Sequence, residues 1–236
     1  MMIGTLINVA AVVVGGVLGT KLGARLPERL SQTVVAGLGL FTVGLGLQMF
    51  LKTQNSLVVV GSLLVGAILG EWWQIEEGLR SVGRWLEKSS AGDRPDGEAL
   101  FVRGFLAASL VFCVGPMAIL GSIQDGLTGN FQVLAVKSIL DAFIALAFAS
   151  TLGLGVIFSA LTVLIYQGAI TLLAAQVQSI VTPAMMNEMS ATGGIILMGL
   201  AISSLLEIKQ IRAGNFLPAL IIAPLVVWVL TLFHAL

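Results

Sequence analysis

One apolar stretch of this chain carries two opposite charges at helical spacing. Residues 131–150 read FQVLAVKSILDAFIALAFAS, with Lys137 and Asp141 four positions apart. Four residues is one helical turn, so the two side chains share a face. Each charge near the centre of a membrane helix costs about 2.5–3.5 kcal/mol on insertion scales. Either the pair neutralises itself, or it meets further charges and water in a cavity. Ionisable groups at membrane depth mark proton, ion and substrate sites. The competing role is a structural ion pair that fixes the helix face, with Lys137 reaching toward the surface. Lys before Asp is the weaker order in water, but a low dielectric strengthens any pairing. Ser138 adds a hydroxyl on an adjacent face.

A second group of polar residues lies just upstream, in CVGPMAILGSIQDGLTGN over 113–130. Gly115-Pro116 disrupts a helix there, and Gln124, Asp125, Thr128 and Asn130 follow. A broken membrane helix frees backbone groups that bind ions or substrates where they line a cavity. An ordinary turn fits the same residues, because Asp-Gly and Gly-Asn are turn pairs. Asn8 is almost alone as a polar residue in its apolar segment, with Thr5 beside it, and Gln48 is a second isolated amide. Interhelical hydrogen bonding explains both, with Asn8 the better candidate to line a site. The candidate substrate- or ion-binding set is therefore Asp141, Lys137, Asp125, Gln124, Asn130, Asn8 and Ser138. Glu71 and Glu207 read as solvated span ends, and Glu188 as lying outside. Met185, Met186 and Met189 read as an adaptable apolar surface.

Other chemistries lack their residues. One Cys and one His (His234) leave zinc, haem and Ser-His-Asp sites without ligands. No GxxxxGK[ST] motif is present, so ATP-driven work by this chain alone is not expected. Two aspartates sharing a proton must approach to about 3 Å, and Asp125 near a surface cannot reach Asp141 near the midplane. The expectation is no enzyme, no cofactor and no metal.

These residues need elements to hold them, and composition names the class. Of 236 residues 57% are hydrophobic and 10% charged, with twelve basic and twelve acidic side chains. Soluble domains carry about 25% charge, and a nucleic-acid binder needs a basic face. A polytopic membrane protein remains, its main partner the lipid bilayer. A helix needs about 20 apolar residues to cross, and the charge-free runs give spans at 3–20, 33–51, 56–72, 101–121, 132–150, 154–176, 190–206 and 215–234. These runs are far longer than a barrel strand, so the fold class is an all-α bundle of about eight transmembrane helices in one domain, 1–236. Part of 116–131 is re-entrant if Gly115-Pro116 breaks the fourth span.

With eight spans, one set of loops holds Lys21, Arg25, Arg29, Arg80, Arg84, Lys88, Arg94, Arg103, Lys209 and Arg212, and the other holds only Lys52. Basic residues collect in cytoplasmic loops, which places both termini outside the cytoplasm. Residues 71–88, EWWQIEEGLRSVGRWLEK, form an amphipathic interfacial helix on the cytoplasmic side, with Glu76, Glu77, Arg80, Arg84, Glu87 and Lys88 on its polar face. Residues 89–98 form a polar linker. Thr182-Pro183 reads as a helix start, giving a short surface helix over 183–189 before Ser190 caps the next span.

Gly39, Gly44 and Leu45 match Gly194, Gly199 and Leu200 at a constant shift. On this topology the repeat is inverted, spans 1–3 against 6–8, a plan common in secondary transporters. Glycine is abundant at 28 residues, and Gly15, Gly19 and Gly23 recur every fourth position. Such small-residue faces serve close packing within the chain, or a homo-oligomer.

The segments GTLINVAAVVVGGVLG, FCVGPMAILGSIQDGLTGN and VKSILDAFIALAFASTLGLGV resemble the YqgA-like family of bacterial inner-membrane proteins of unknown function. The resemblance covers nearly the whole chain and is most specific over 112–155. It implies a plasma-membrane location and a transporter-like role, with no functional residues to carry over. Two functions follow: a secondary transporter or channel-like protein for a small solute or ion, with a mid-membrane polar site, or a membrane scaffold without transport activity.

Overall fold

The computed structural model describes residues 2–24, 26–90 and 95–232, without the side chains of 89, 90 and 95–98. All regular structure among them is helical. The helices are α1 (Ile3–Gly23), α2 (Glu28–Phe50), α3 (Ser56–Trp73), α4 (Ile75–Ser90), α5 (Pro95–Val114), α6 (Pro116–Thr128), α7 (Gln132–Leu152), α8 (Gly155–Leu172), α9 (Ala174–Ile180), α10 (Pro183–Leu200) and α11 (Ala219–Leu232). A π-helical turn, Ala201–Leu205, prolongs α10, and a 3-10 turn, Ala213–Phe216, precedes α11. Seven of these segments are long and apolar enough to cross a membrane, and the bent pair α5–α6 makes an eighth.

Local sequence sets the breaks. Pro116 lacks an N–H and clashes with the preceding turn, so α5 ends at Val114. Gly115 takes the extended ψ of 147° that a residue before proline prefers. Pro116 then opens α6, and the two axes differ by 61°. Gly129 (φ 70°) closes α6, its N–H donating to the Asp125 carbonyl at 3.1 Å. Asn55 caps α3 by accepting from Leu57 N–H at 3.1 Å, and Thr182 caps α10 by accepting from Met185 N–H at 3.2 Å.

Three boundaries differ from the sequence expectations. α10 runs unbroken from Pro183 through Ser190, which is buried inside it rather than capping a new helix. The Thr182 cap and Pro183 start one helix, and nothing between them and Leu200 breaks it. The amphipathic segment 71–88 splits at Gln74, whose left-handed φ of 52° ends α3 after the two tryptophans. Of its polar face, Glu76 and Glu87 are buried, while Trp72, Trp73 and Trp85 are exposed. The polar stretch 89–98 is largely taken up by the end of α4 and the start of α5, leaving 91–94 outside the described residues.

The chain groups into two compact units, Met1–Leu38 with Arg80–Ser179, and Gly39–Leu79 with Ile180–Leu236. The boundaries fall inside helices or beside them, and a boundary between apolar segments needs no polar linker, so hydropathy does not mark it.

In the first unit α1 packs along α7 in parallel. A Cβ at Gly15, Gly19 or Gly23 would meet the carbonyl of Ala142, Leu146 or Ser150 in turn, both helices advancing by four residues per step. α5 begins where α7 ends, Gly104 lying against Leu152. α6 finishes where α7 and α1 begin, Gly121 lying against Leu134 and Asp125 bonding to Gly4. The bent pair therefore runs the length of α7 once. It is a broken span and not a re-entrant hairpin.

The second unit holds α3, α10, α11 and the second half of α2. Val58, Met185 and Val227 form an apolar cluster there. Gly46 and Gly194 meet reciprocally, each Cβ position falling on the other's carbonyl oxygen.

Candidate functional site

Four side chains of the first unit converge on one carboxylate layer. Asp141 is the tenth residue of α7's twenty-one, near its middle, and 5% exposed. Its Oδ2 accepts from Lys137 Nζ, one turn earlier, and from Asn8 Nδ2 of α1 at 2.8 Å. Asn8 Oδ1 accepts from Gln167 Nε2 of α8 at 3.2 Å. Asn8 and Gln167 are both fully buried, at 0% exposure. Every donor in this line points toward Asp141, so the three helices are polarised around one negative charge.

Helix geometry explains the convergence. Asn8 lies five residues into α1, Lys137 five into α7, and Gln167 five from the end of α8. At 1.5 Å per residue all three stand about 8 Å below the same helix ends. Asp141 starts one turn deeper, but helical side chains lean toward the N-terminus, which brings its carboxylate into the layer. Lys137 Nζ also stands 5.9 Å from the centroid of the Phe112 ring, at the end of α5 beside the break.

The remaining candidates separate. Asp125 is 0% exposed and its Oδ2 accepts from Gly4 N–H at 2.9 Å. It caps the start of α1, one turn above Asn8, where a carboxylate is favoured by the helix dipole. Thr5 and Thr171 lie between the two levels, their hydroxyls 3.4 Å apart. Gln124, near the C-terminal end of α6, and Asn130, just beyond it, are exposed; the Gln124 carbonyl accepts from Thr128 Oγ1 at 2.9 Å and Asn130 Oδ1 from Gln132 N–H at 3.1 Å. They belong to the turn reading of 113–130, whereas Asp125, about 100° round α6 from Gln124, is buried. Ser138 is buried but donates to the Leu134 carbonyl of its own helix at 2.6 Å, so its hydroxyl is spent locally. His, Cys, Asp and Glu form no group of three suited to a metal among the described residues.

The model of the family "Protein of unknown function (DUF554)" matches residues 3–228. The chain belongs to this family. The DUF554 chain is 34% identical over 224 residues to "Uncharacterized protein YqgA" of Escherichia coli (strain K12), covering 94% of this chain and 95% of that protein. It is 27% identical over 236 residues to "Uncharacterized membrane protein YdfK" of Bacillus subtilis (strain 168), covering 98% of each. No solved structure matches the DUF554 chain. The seven long apolar helices and the bent pair α5–α6 are those of a polytopic membrane bundle, and the second of these relatives is itself named a membrane protein.

The contacts of two residues are not legible in the sequence. Gln167 sits in the long uncharged run 142–187, where one amide carries no pattern. Its counterpart Asn8 was the available clue, since a buried amide needs a partner. Glu188, expected on the side away from the cytoplasm, is 2% exposed, and its carboxylate accepts from Thr53 Oγ1 at 2.7 Å, Gln54 N–H at 2.6 Å and Asn55 N–H at 3.0 Å. It ties the α2–α3 loop to α10 within the second unit, a structural role that spacing could not reveal.

Proposed function

We propose that this protein is a secondary transporter or channel-like protein of the bacterial inner membrane for a small solute or ion. The observation that carries this reading is the Lys137–Asp141 pair held by Asn8 and Gln167. A purely structural ion pair would need only its two members, whereas here two further helices each bring an otherwise isolated amide to the same carboxylate. Intramembrane ionisable groups with such partners belong to transport sites by default. The broken span α5–α6 adds support, because Phe112, beside the break, faces Lys137. The basic loops put both termini outside the cytoplasm in this reading, so the polar layer lies toward the outer face.

The inverted repeat is part of the proposal. Spans 2, 3, 7 and 8 fall mostly in the second unit, and spans 1 and 6 in the first. Each repeat partner is therefore grouped with its match. At the shift that matches Gly39 with Gly194, the Gly46–Gly194 crossing maps onto Ala201 and Gly39 of the same two helices, and Gly39 lies against Leu205 and Leu206, one turn on from Ala201. The exposed tryptophans of α3 and α4 favour a second reading, a scaffold that docks a partner at the membrane surface.

A thermal-shift screen of purified wild type, Asp141→Asn and Lys137→Met against ions, amino acids and organic acids separates the two. Bound ligand stabilises the folded state by mass action. A ligand that shifts wild type and neither variant supports transport, and uptake of that ligand into proteoliposomes then follows. No response in any protein, with a stoichiometric partner recovered on pull-down, moves the assignment to the scaffold.

A further inference from the structure

Asp125 has no role in the Lys137–Asp141 layer, yet it is buried without a compensating cation. Its Oδ2 is used by Gly4 N–H at 2.9 Å, while its Oδ1 has no hydrogen-bond partner. Ser122, one turn earlier on α6 and 0% exposed, has an Oγ that is equally unpartnered. Gln167 Oε1, on α8, is a third such oxygen. α6 and α8 touch beside Asp125, where a Cβ at Gly126 would fall on the Thr171 carbonyl. The Thr5 and Thr171 hydroxyls, 3.4 Å apart, lie between this level and the Asn8 layer.

Charge decides what these oxygens want. Asp141 is matched by Lys137. No cationic side chain is paired with Asp125 among the described residues. The α1 N-terminus offsets only a fraction of a charge, and a buried carboxylate left unpaired is costly. An unpartnered carboxylate oxygen beside a hydroxyl with free lone pairs suits a cation, because hard cations take carboxylate, hydroxyl and carbonyl oxygens.

We propose that Asp125 and Ser122, with Thr5 and Thr171, form a monovalent-cation site suited to sodium, about one helical turn from the Lys137–Asp141 layer. As the coupling site of a transporter it rests on the reading above; cation binding itself does not. The titratable and charged groups on the elements packed around α6 are Lys137 and Asp141 on α7, Tyr166 on α8, and Asp96, Glu98, Arg103 and Cys113 on α5, Arg103 and the two acids lying in its first half, away from the break. The first half of α1 carries none.

The test is the melting temperature of the full chain in lipid nanodiscs. Sodium chloride is titrated against N-methylglucamine chloride at constant ionic strength and pH. Wild type rises saturably, by about 3 °C or more. Asp125→Asn, which keeps an oxygen for Gly4 N–H, abolishes the rise. Ser122→Ala leaves the cap untouched and raises the half-saturating sodium concentration by about fivefold, the loss of one oxygen partner. Asp141→Asn retains the response. A wild type indifferent to sodium, or a response that survives Asp125→Asn, overturns the site. A cation response without any solute flux would sink the transport reading alone. Solute flux lost in Asp141→Asn, with no cation response in wild type, would sink the cation site alone.

Discussion

Removing one member of the Lys137–Asp141 pair is worse than removing both. Lys137→Met leaves the Asp141 carboxylate with the Asn8 amide as its remaining donor, at 2.8 Å. Asp141→Leu leaves the Lys137 ammonium with the Phe112 ring at 5.9 Å, a contact worth about 0.5–2 kcal/mol. Breaking a buried pair from one side typically costs about 3–5 kcal/mol, because an uncompensated charge remains. The double variant leaves no charge. It loses the hydrogen bond from Asn8, worth about 0.6 kcal/mol on average between membrane helices, and strands one amide at about 1–3 kcal/mol. The sum of the singles is then about 6–10 kcal/mol, and the double costs about 2–4 kcal/mol. The coupling is therefore at least about 2 kcal/mol, well above the noise of a double-mutant cycle. Unfolding of the four proteins in mixed micelles, followed by the four tryptophans or by steric trapping, measures it. Additive singles would refute the argument, since they would mean that water already reaches both charges in the folded state. A stable double variant would also be the cleanest protein in which to look for lost ligand binding, because its fold is not in question.

Two further substitutions probe the packing around the site. Gly15→Val places a side chain on the Ala142 carbonyl. Backbone cannot yield there without separating α1 from α7, so we expect a loss of about 1–3 kcal/mol and weaker protection of α7 amides in hydrogen exchange. Gly44→Val, where a Cβ meets open space, is the control and changes neither. In the second unit, Glu188→Ala strands the N–H groups of Gln54 and Asn55. We expect a cost of about 2–4 kcal/mol and faster proteolysis between 51 and 56, and an unchanged cleavage rate would rule out the latch.

Much of the membrane architecture was legible because bilayer thickness acts on every segment alike. Charge-free runs report span length directly, and Gly115-Pro116 reports a break whatever surrounds it. What periodicity could not supply was which polar groups meet. Lys137 and Asp141 were readable as a pair because they share one helix. Asn8 and Gln167 lie 159 positions apart, and nothing local to either names the other. The separation of Asp125 from Gln124 follows from helix phase. Neighbours in sequence point about 100° apart on a helix, so one faced the bundle and the other the surface. Gly115-Pro116 marks the start of α6 in the sequence, but nothing local says on which side of α6 the bundle lies.

The polar layer and the glycine seam depend on each other. An asparagine side chain is short, and Asn8 reaches Asp141 only if the α1 and α7 backbones lie unusually close. Gly15, Gly19 and Gly23 permit that approach below the layer, each against a backbone carbonyl of α7. Gly4 does the same above it, with Leu134 and Phe131 against the place of its Cβ. Apolar attraction cannot draw these helices together in lipid, where the tails are as apolar as leucine. Close packing of small residues and the hydrogen bonds of Asp125 to Gly4 and Asp141 to Asn8 must do so. A substitution in the seam therefore moves Asn8 away from the carboxylate before it unfolds the helix pair. Substituting Ala at Gly19, remote from every polar residue of the layer, should uncouple Asn8 from Asp141 while both remain in place along their helices.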